Sequence, residues 1–172
     1  MVTLIPAADT PEDNFQFERL LERKGFNRIA GTDEVGRGPL AGPVVAACVV
    51  LPPACDPSIF IDSKKTTEKQ RYLQRDILIR AGAHIGIGIV TPAAIDKINI
   101  HQASLLAMKK SIEKLAIGYD EPDYILVDGR FNVPVSIPQE ALIKGDSRSA
   151  SIGAASIIAK ITRDEIMADM HE

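Results

Sequence analysis

Asp33 and Glu34 stand side by side, with Gly36-Arg37-Gly38 just behind them, and a further carboxylate, Asp128, closes the apolar run Tyr124-Ile-Leu-Val. A carboxylate at the end of a buried strand is costly unless it is paired, hydrogen-bonded or bound to a cation. Adjacent acids also repel each other, and a hard divalent ion relieves that repulsion. Oxygen donors of this kind suit Mg²⁺ or Mn²⁺, whereas softer metals call for Cys or His. The three histidines (His84, His101, His171) form no local cluster, and Cys48 and Cys55 lack CxxC spacing, so zinc is not expected. Two ions held a few ångströms apart organise in-line attack of water on a phosphodiester. No Ser-His-Asp or Cys-His arrangement offers a covalent alternative. Read alone, Asp33-Glu34 is also compatible with a solvated turn. The glycines beside it expose main-chain N–H and C=O groups and could form an anion-binding nest, or simply a hairpin turn.

The elements that must position these residues are legible in the pattern. Asn14 to Lys24 has helical spacing, with Phe15, Phe17, Leu20 and Leu21 on one side. Arg28 to Asp33 reads as a strand ending at the acid pair, and Pro43 to Leu51 as a buried, β-branched strand. Gly36, Gly38, Pro39, Gly42 and Pro43 make a tight turn between them, which predicts antiparallel neighbours. Thr66 to Ile79 predicts a helix with Tyr72, Leu73, Ile77 and Leu78 inward. His84 to Val90 alternates Gly and Ile, as a closely packed third strand would. A short helix over 92–98 and a longer one over 102–115, with Leu105, Leu106, Met108 and Ile112 inward, precede the strand 124–128. A short strand over 141–144 and a final helix from Ser149 to about Met170 complete the order, the last segment reading β-α-β-α. The expectation is an α/β domain with a mixed sheet, three antiparallel strands followed by parallel ones, flanked by helices. Residues 1–27 form a leader and helix, and 28–172 the catalytic domain.

Bulk properties constrain less. A chain of 172 residues can bury a substantial core. No apolar run approaches the ~20 residues that span a bilayer and no signal-peptide core follows Met1, so no membrane role and a cytoplasmic location are expected. The formal net charge of −3 does not by itself suggest a nucleic acid. Any basic face must be local, drawn from Lys64, Lys65, Lys69, Arg71, Lys109, Lys110, Lys144, Arg148, Lys160 and Arg163.

The ordered block Thr32-Asp-Glu-Val-Gly-Arg-Gly-Pro-Leu-Ala-Gly-Pro43 resembles the ribonuclease HII family, the bacterial type 2 ribonucleases H. The likeness continues through Asp62-Ser-Lys-Lys65, Asn99-Ile100, Gln102-Ala103, Leu126-Val-Asp-Gly129, Lys144-Gly-Asp146 and Ala154-Ala-Ser-Ile-Ile-Ala-Lys-Ile-Thr-Arg-Asp164. The resemblance implies a ribonuclease H-like fold and a monomeric endonuclease acting on the RNA strand of RNA–DNA hybrids. It also implies incision 5′ to single ribonucleotides in duplex DNA, with Mn²⁺ or Mg²⁺, leaving 5′-phosphomonoesters. By position, it makes Asp33, Glu34 and Asp128 metal ligands and assigns reading of the ribose 2′-hydroxyl to Gly36, Arg37 and Gly38. The fourth acid falls on Asp146 rather than Asp164. The two are 18 positions apart, about 27 Å along one helix, too far to share a metal pair. Asp164 is then expected to pair with Arg163 or Lys160. Lys64 and Lys65 are expected to contact phosphates or lie in a solvated loop. Lys144 and Ser147 bind phosphate or cap the last helix, Asn99 caps the helix after it, and Cys48 and Met108 belong to the core.

Members of that family usually continue beyond this point with a basic His/Lys-rich segment and a Gly-Tyr, a position that Tyr72, Tyr119 and Tyr124 do not match. The expectation is a domain lacking that segment, with its carboxylates kept and its grip on substrate weakened. The alternative function is a catalytically impaired hybrid-binding domain, and a DNA-strand nuclease of the same fold is a third reading.

Overall fold

A computed structural model describes residues 13–38, 41–53, 55–60 and 66–170. Helix α1 (Gln16–Arg23) leads into strand β1 (Ile29–Val35), which is followed by β2 (Val44–Val50). Helix α2 (Glu68–Ala81), β3 (His84–Val90), α3 (Pro92–Ile98) and α4 (Ile100–Gly118) follow. Then come β4 (Tyr124–Asp128), β5 (Gln139–Leu142) and α5 (Ala150–Asp169). The sheet has the order β3-β2-β1-β4-β5. β1–β2 and β2–β3 are antiparallel, β1–β4 and β4–β5 parallel, which is the mixed α/β arrangement expected. No helix among the described residues is long and apolar enough to cross a membrane.

Helices cover both faces because β1, β2 and β4 are apolar on both. On one face Ala103, Ala107, Met108, Ile112 and Leu115 of α4 pack on Ala46, Cys48, Ile125 and Val127. On the other, Ala150, Ala154, Ile157, Ile158 and Ile161 of α5 meet Ala47 and Val49, with Leu78 of α2 outside them. A third cluster joins Phe17 and Leu21 of α1 to Ile29, Tyr124, Leu126, Leu142 and Ile152.

Missing side chains set the helix–sheet distances. A Cβ on Gly88 would stand 2.0 Å from the Ala107 carbonyl oxygen, and one on Gly86 2.1 Å from that of Ser111. At so close an approach the main chain of α4 lies on the strand, with Lys110 and Leu115 beside the two glycines. Leu105 and Leu106, expected inward, are only partly buried. Across the sheet, a Cβ on Gly31 would lie 2.2 Å from the main chain of Ser151 and Ile152 at the start of α5.

Several expectations change. Leu73 is 61% exposed, because α2 turns Gln74 and Leu78 inward, and the Gln74 amide donates to the Ile59 carbonyl at 2.5 Å. β5 lies two residues earlier than the expected 141–144, since Lys144 takes a left-handed conformation (φ 56°) and opens a 3-10 turn, Gly145–Ser147. No helix joins β4 to β5. Residues 129–138 cross over as turns, pinned where the Gln139 side chain accepts from Val133 N–H at 2.8 Å and donates to the Val133 carbonyl at 2.9 Å. The leader (residues 1–12), Lys64, Lys65 and residues 171–172 lie outside the described residues.

The Gly31 contact has a measurable consequence. Gly31→Ala forces main chain against main chain, so it is expected to cost about 3 kcal/mol or more, at the upper end of overpacking effects. Gly118→Ala, with open space at its Cβ, should be neutral or slightly stabilising. Urea unfolding midpoints of the two variants check this.

Candidate active site

The register builds the acidic centre. Thr32 pairs with Val127 across β1 and β4, so the next residues along, Asp33 and Asp128, become lateral neighbours at the strand ends. Each is held by main-chain donors: Glu34 N–H donates to Asp33 Oδ1 at 2.7 Å, and Gly145 N–H to Asp128 Oδ1 at 2.7 Å. Asp146 N–H also points at Asp128 Oδ1, at 3.4 Å, which draws the 3-10 turn before α5 against the end of β4. Asp146 itself is buried, as is Asp33.

The electrostatics are those of crowded like charges. Burial pushes the Asp33 carboxyl well above its ordinary range, and the charges of Asp128, Glu34 and Asp146 push it further, while a hydrogen bond from the Ser156 side chain opposes them. Burial raises Glu34 to about 7, with Asp128 adding to the rise, although Arg37 counteracts it by charge and hydrogen bond. That Arg37 Nη1–Glu34 Oε1 bond is 3.1 Å long.

A cleft of about 450 Å³ opens over these groups, lined by Asp33, Glu34, Val35, Asp128, Ser156, Arg71 and Lys160. The two cations share one acid on the cleft wall. Lys160 Nζ lies 2.5 Å from Asp164 Oδ1, and Arg71 Nη2 is 3.7 Å from Asp164 Oδ2. Arg71 Nη1 also donates to the Thr66 carbonyl at 2.8 Å. The i, i+4 partner expected for Asp164 is thus Lys160, with Arg71 of α2 as a second.

The structure therefore brings together Asp33, Glu34, Asp128 and Asp146, and sets Asp164 apart with its cations. Gly36 is buried at φ 105°, and Arg37 and Gly38 are exposed at the rim of the same turn. Lys144 is exposed, and Ser147 Oγ donates to the Lys144 carbonyl at 3.0 Å. The cap of α5 falls to Ser149, whose Oγ accepts from Ile152 N–H at 3.2 Å, so neither Lys144 nor Ser147 serves as that cap. Asn99 does cap α4, accepting from Gln102 N–H at 3.1 Å. Sequence reasoning misses Ser156, and it names Arg71, Lys160 and Arg163 only as members of a possible basic face. The spacing 156, 160, 163, continuing a helix whose residues 150–159 are all small or apolar, is the available signal.

As a metal site, the donor set is all oxygen, which fits a hard divalent cation. Among the described residues, no three Asp, Glu, His or Cys side chains are already arranged as a metal cage. The fit thus rests on donor type and on mutual repulsion that a cation would relieve.

A five-stranded mixed sheet of this order, with acids gathered at the ends of its two central strands, defines a nuclease of the ribonuclease H-like class. The family model for ribonuclease HII matches residues 30–172. The ribonuclease HII of Desulfotalea psychrophila is 55% identical over 172 residues, 99% of this chain and 76% of the relative. That of Bacillus subtilis is 50% identical over 151 residues, 88% of this chain and 58% of the relative. Among solved structures, ribonuclease H2 from Pyrococcus horikoshii superposes with a TM-score of 0.66 at 27% identity, covering 84% of this chain and 75% of that one. Bst-RNase HIII in complex with Mn²⁺ shares the fold at a TM-score of 0.66 and 20% identity, over 86% and 55% of the two chains. The chain belongs to the ribonuclease HII family and is an endoribonuclease.

The crowding can be tested directly. Asp33→Asn keeps the Oδ1 acceptor but removes one charge from the cluster. Without metal it should melt roughly 2–4 °C higher than wild type, the shift that about 1 kcal/mol gives in a chain of this size. Adding Mn²⁺ should raise the wild-type midpoint and close that gap. Differential scanning fluorimetry reads both, and a variant that melts lower without metal would contradict the repulsion.

Proposed function

We propose that Asp33, Glu34, Asp128 and Asp146 hold two divalent ions, Mn²⁺ or Mg²⁺, and that the chain cuts the RNA strand of RNA–DNA hybrids. In the same reading it incises 5′ to single ribonucleotides embedded in duplex DNA. One observation carries this: Asp33, Glu34 and Asp128 line a single cleft with the buried Asp146 beside Asp128, and the charges of the other three crowd Asp33. When bound, the ions would supply the Lewis acidity that activates water and neutralises charge on the leaving 3′-oxygen.

The chain's own residues do the rest. Main-chain donors at 34, 145 and 146 fix the orientation of Asp33 and Asp128 before any ligand arrives. Ser156 holds Asp33 from the side of α5. Lys160 and Arg71 put positive charge on the cleft wall, where a strand's phosphates would pass. Lys64, Lys65, Lys144 and Ser147 are assigned to further phosphates. Gly36, Arg37 and Gly38 meet the ribose, since the 2′-hydroxyl is the group by which one RNA residue differs from DNA. A monomer acting in the cytoplasm belongs to the same reading, with Cys48 and Cys55 both free.

The test is cleavage of a DNA duplex carrying one ribonucleotide, in Mn²⁺, beside an all-DNA duplex of the same sequence. The expected product is a nick on the 5′ side of the ribonucleotide, lowered roughly a thousandfold or more by Asp128→Asn. Cleavage that survives Asp128→Asn would remove the carboxylate centre. Equal cutting of both duplexes would point to a DNA nuclease, and binding without turnover to a hybrid-binding domain.

A further inference from the structure

Arg163 carries a charge into the interior, and among the described residues no acid forms an ion pair with it. It lies on α5, one helical face along from Ser156 and Lys160, and is only 7% exposed. Its guanidinium turns to main chain instead: Nε donates to the Pro43 carbonyl at 3.1 Å and Nη2 to the Ala41 carbonyl at 2.9 Å. Both carbonyls belong to the turn that carries Gly36-Arg37-Gly38. Among the described residues, Arg163 is the side chain that hydrogen-bonds them.

The turn is shaped around this group. A Cβ on Gly36 would stand 2.9 Å from Arg163 Nε and 2.5 Å from the Pro43 carbonyl oxygen. At Gly42 (φ 93°) it would lie 3.1 Å from Nη2 and 2.4 Å from Met167 Sδ. Two glycines with positive φ therefore sit against one buried guanidinium. An eight-residue connection between antiparallel strands does not need a buried cation to close. Burying one is costly unless its donors are satisfied, and a planar guanidinium offers two carbonyls donors at a fixed spacing, which a single ammonium does not.

We propose that Arg163 is a positioning residue for ribose recognition. By clamping the carbonyls at 41 and 43 it sets the height of the Gly36-Arg37-Gly38 main chain and so the preference for a ribonucleotide over a deoxynucleotide. This rests on the reading that the turn meets the 2′-hydroxyl, and the experiment separates the two.

Fluorescence anisotropy would measure affinity for two duplexes differing in one ribonucleotide, with Ca²⁺ replacing Mn²⁺ to prevent turnover. Arg163→Met is expected to lower the ribo-to-deoxy affinity ratio about tenfold, the worth of hydrogen bonds from a charged group, while all-DNA affinity stays within about twofold. Arg163→Lys, which keeps charge and most of the volume, should lose about threefold, and it carries the test if Arg163→Met does not fold. A merely structural arginine would weaken both duplexes alike and leave the ratio untouched, which overturns the proposal. Gly38→Ala, with open space at its Cβ, probes the turn itself. If Gly38→Ala abolishes the ratio while both Arg163 variants keep it, the clamp alone fails. If the wild-type ratio is near one, or Gly38→Ala leaves it unmoved, the ribose reading fails and the clamp with it.

Discussion

Everything at the cleft depends on how closely α5 lies on β1. The absent side chain of Gly31 lets the first turn of the helix touch the strand's main chain, and no larger residue fits there. That contact is reinforced from the far side by α1. Glu18 Oε1 accepts from Ser149 Oγ at 2.6 Å and from the Ser151 N–H and Oγ at 3.0 and 2.7 Å. The Asn14 carbonyl accepts from Ala150 N–H, and its amide donates to the carbonyls of Pro57 and Phe60. A rigid helix anchored at its start delivers side chains at fixed heights. Ser156 comes to Asp33, Lys160 to the cleft wall, and Arg163 and Met167 to the turn, each about one helical turn beyond the last.

Anchoring α5 also fixes the 3-10 turn before it, and with it Asp146. The cluster that results opposes stability. Buried acids that raise each other's proton affinity are tolerated because the strand ends and the 145–146 turn supply main-chain donors, and because Arg37 offsets part of the charge on Glu34. The remaining repulsion is of the kind that active sites retain: it lowers the stability of the empty protein and strengthens the pull on a divalent cation.

Much of this was legible in the chain. Strands β1 to β4 and helices α1 and α5 follow from local periodicity, and Asp33 and Asp128 from carboxylates closing apolar runs. What failed to show was whatever depends on a partner distant in sequence. Leu105 looks like core, but α4 turns Ala103, Ala107 and Met108 inward in its place. Leu73 looks inward until α2 is seen to rotate toward Gln74 and Leu78. The parallel β4–β5 pair predicted a helical crossover, but the Gln139 amide closes a short irregular one. Ser156 and Arg163 fall inside a run that resembles the family, but nothing in that run says what they touch. Their roles come from the strand and turn that α5 happens to cross, which no window of sequence contains.

The net charge of −3 looked at odds with a phosphate-binding surface, and the cleft shows why it is a poor guide. The acids are concentrated at the strand ends, where a cation is wanted, and Arg71 and Lys160 stand beside them on the wall. Asp164 holds those two cations from behind, so an acid set apart from the cluster still shapes the field around it. Over separations within the ~8 Å Debye length of physiological salt, this local order governs the field at the cleft, and the total charge does not.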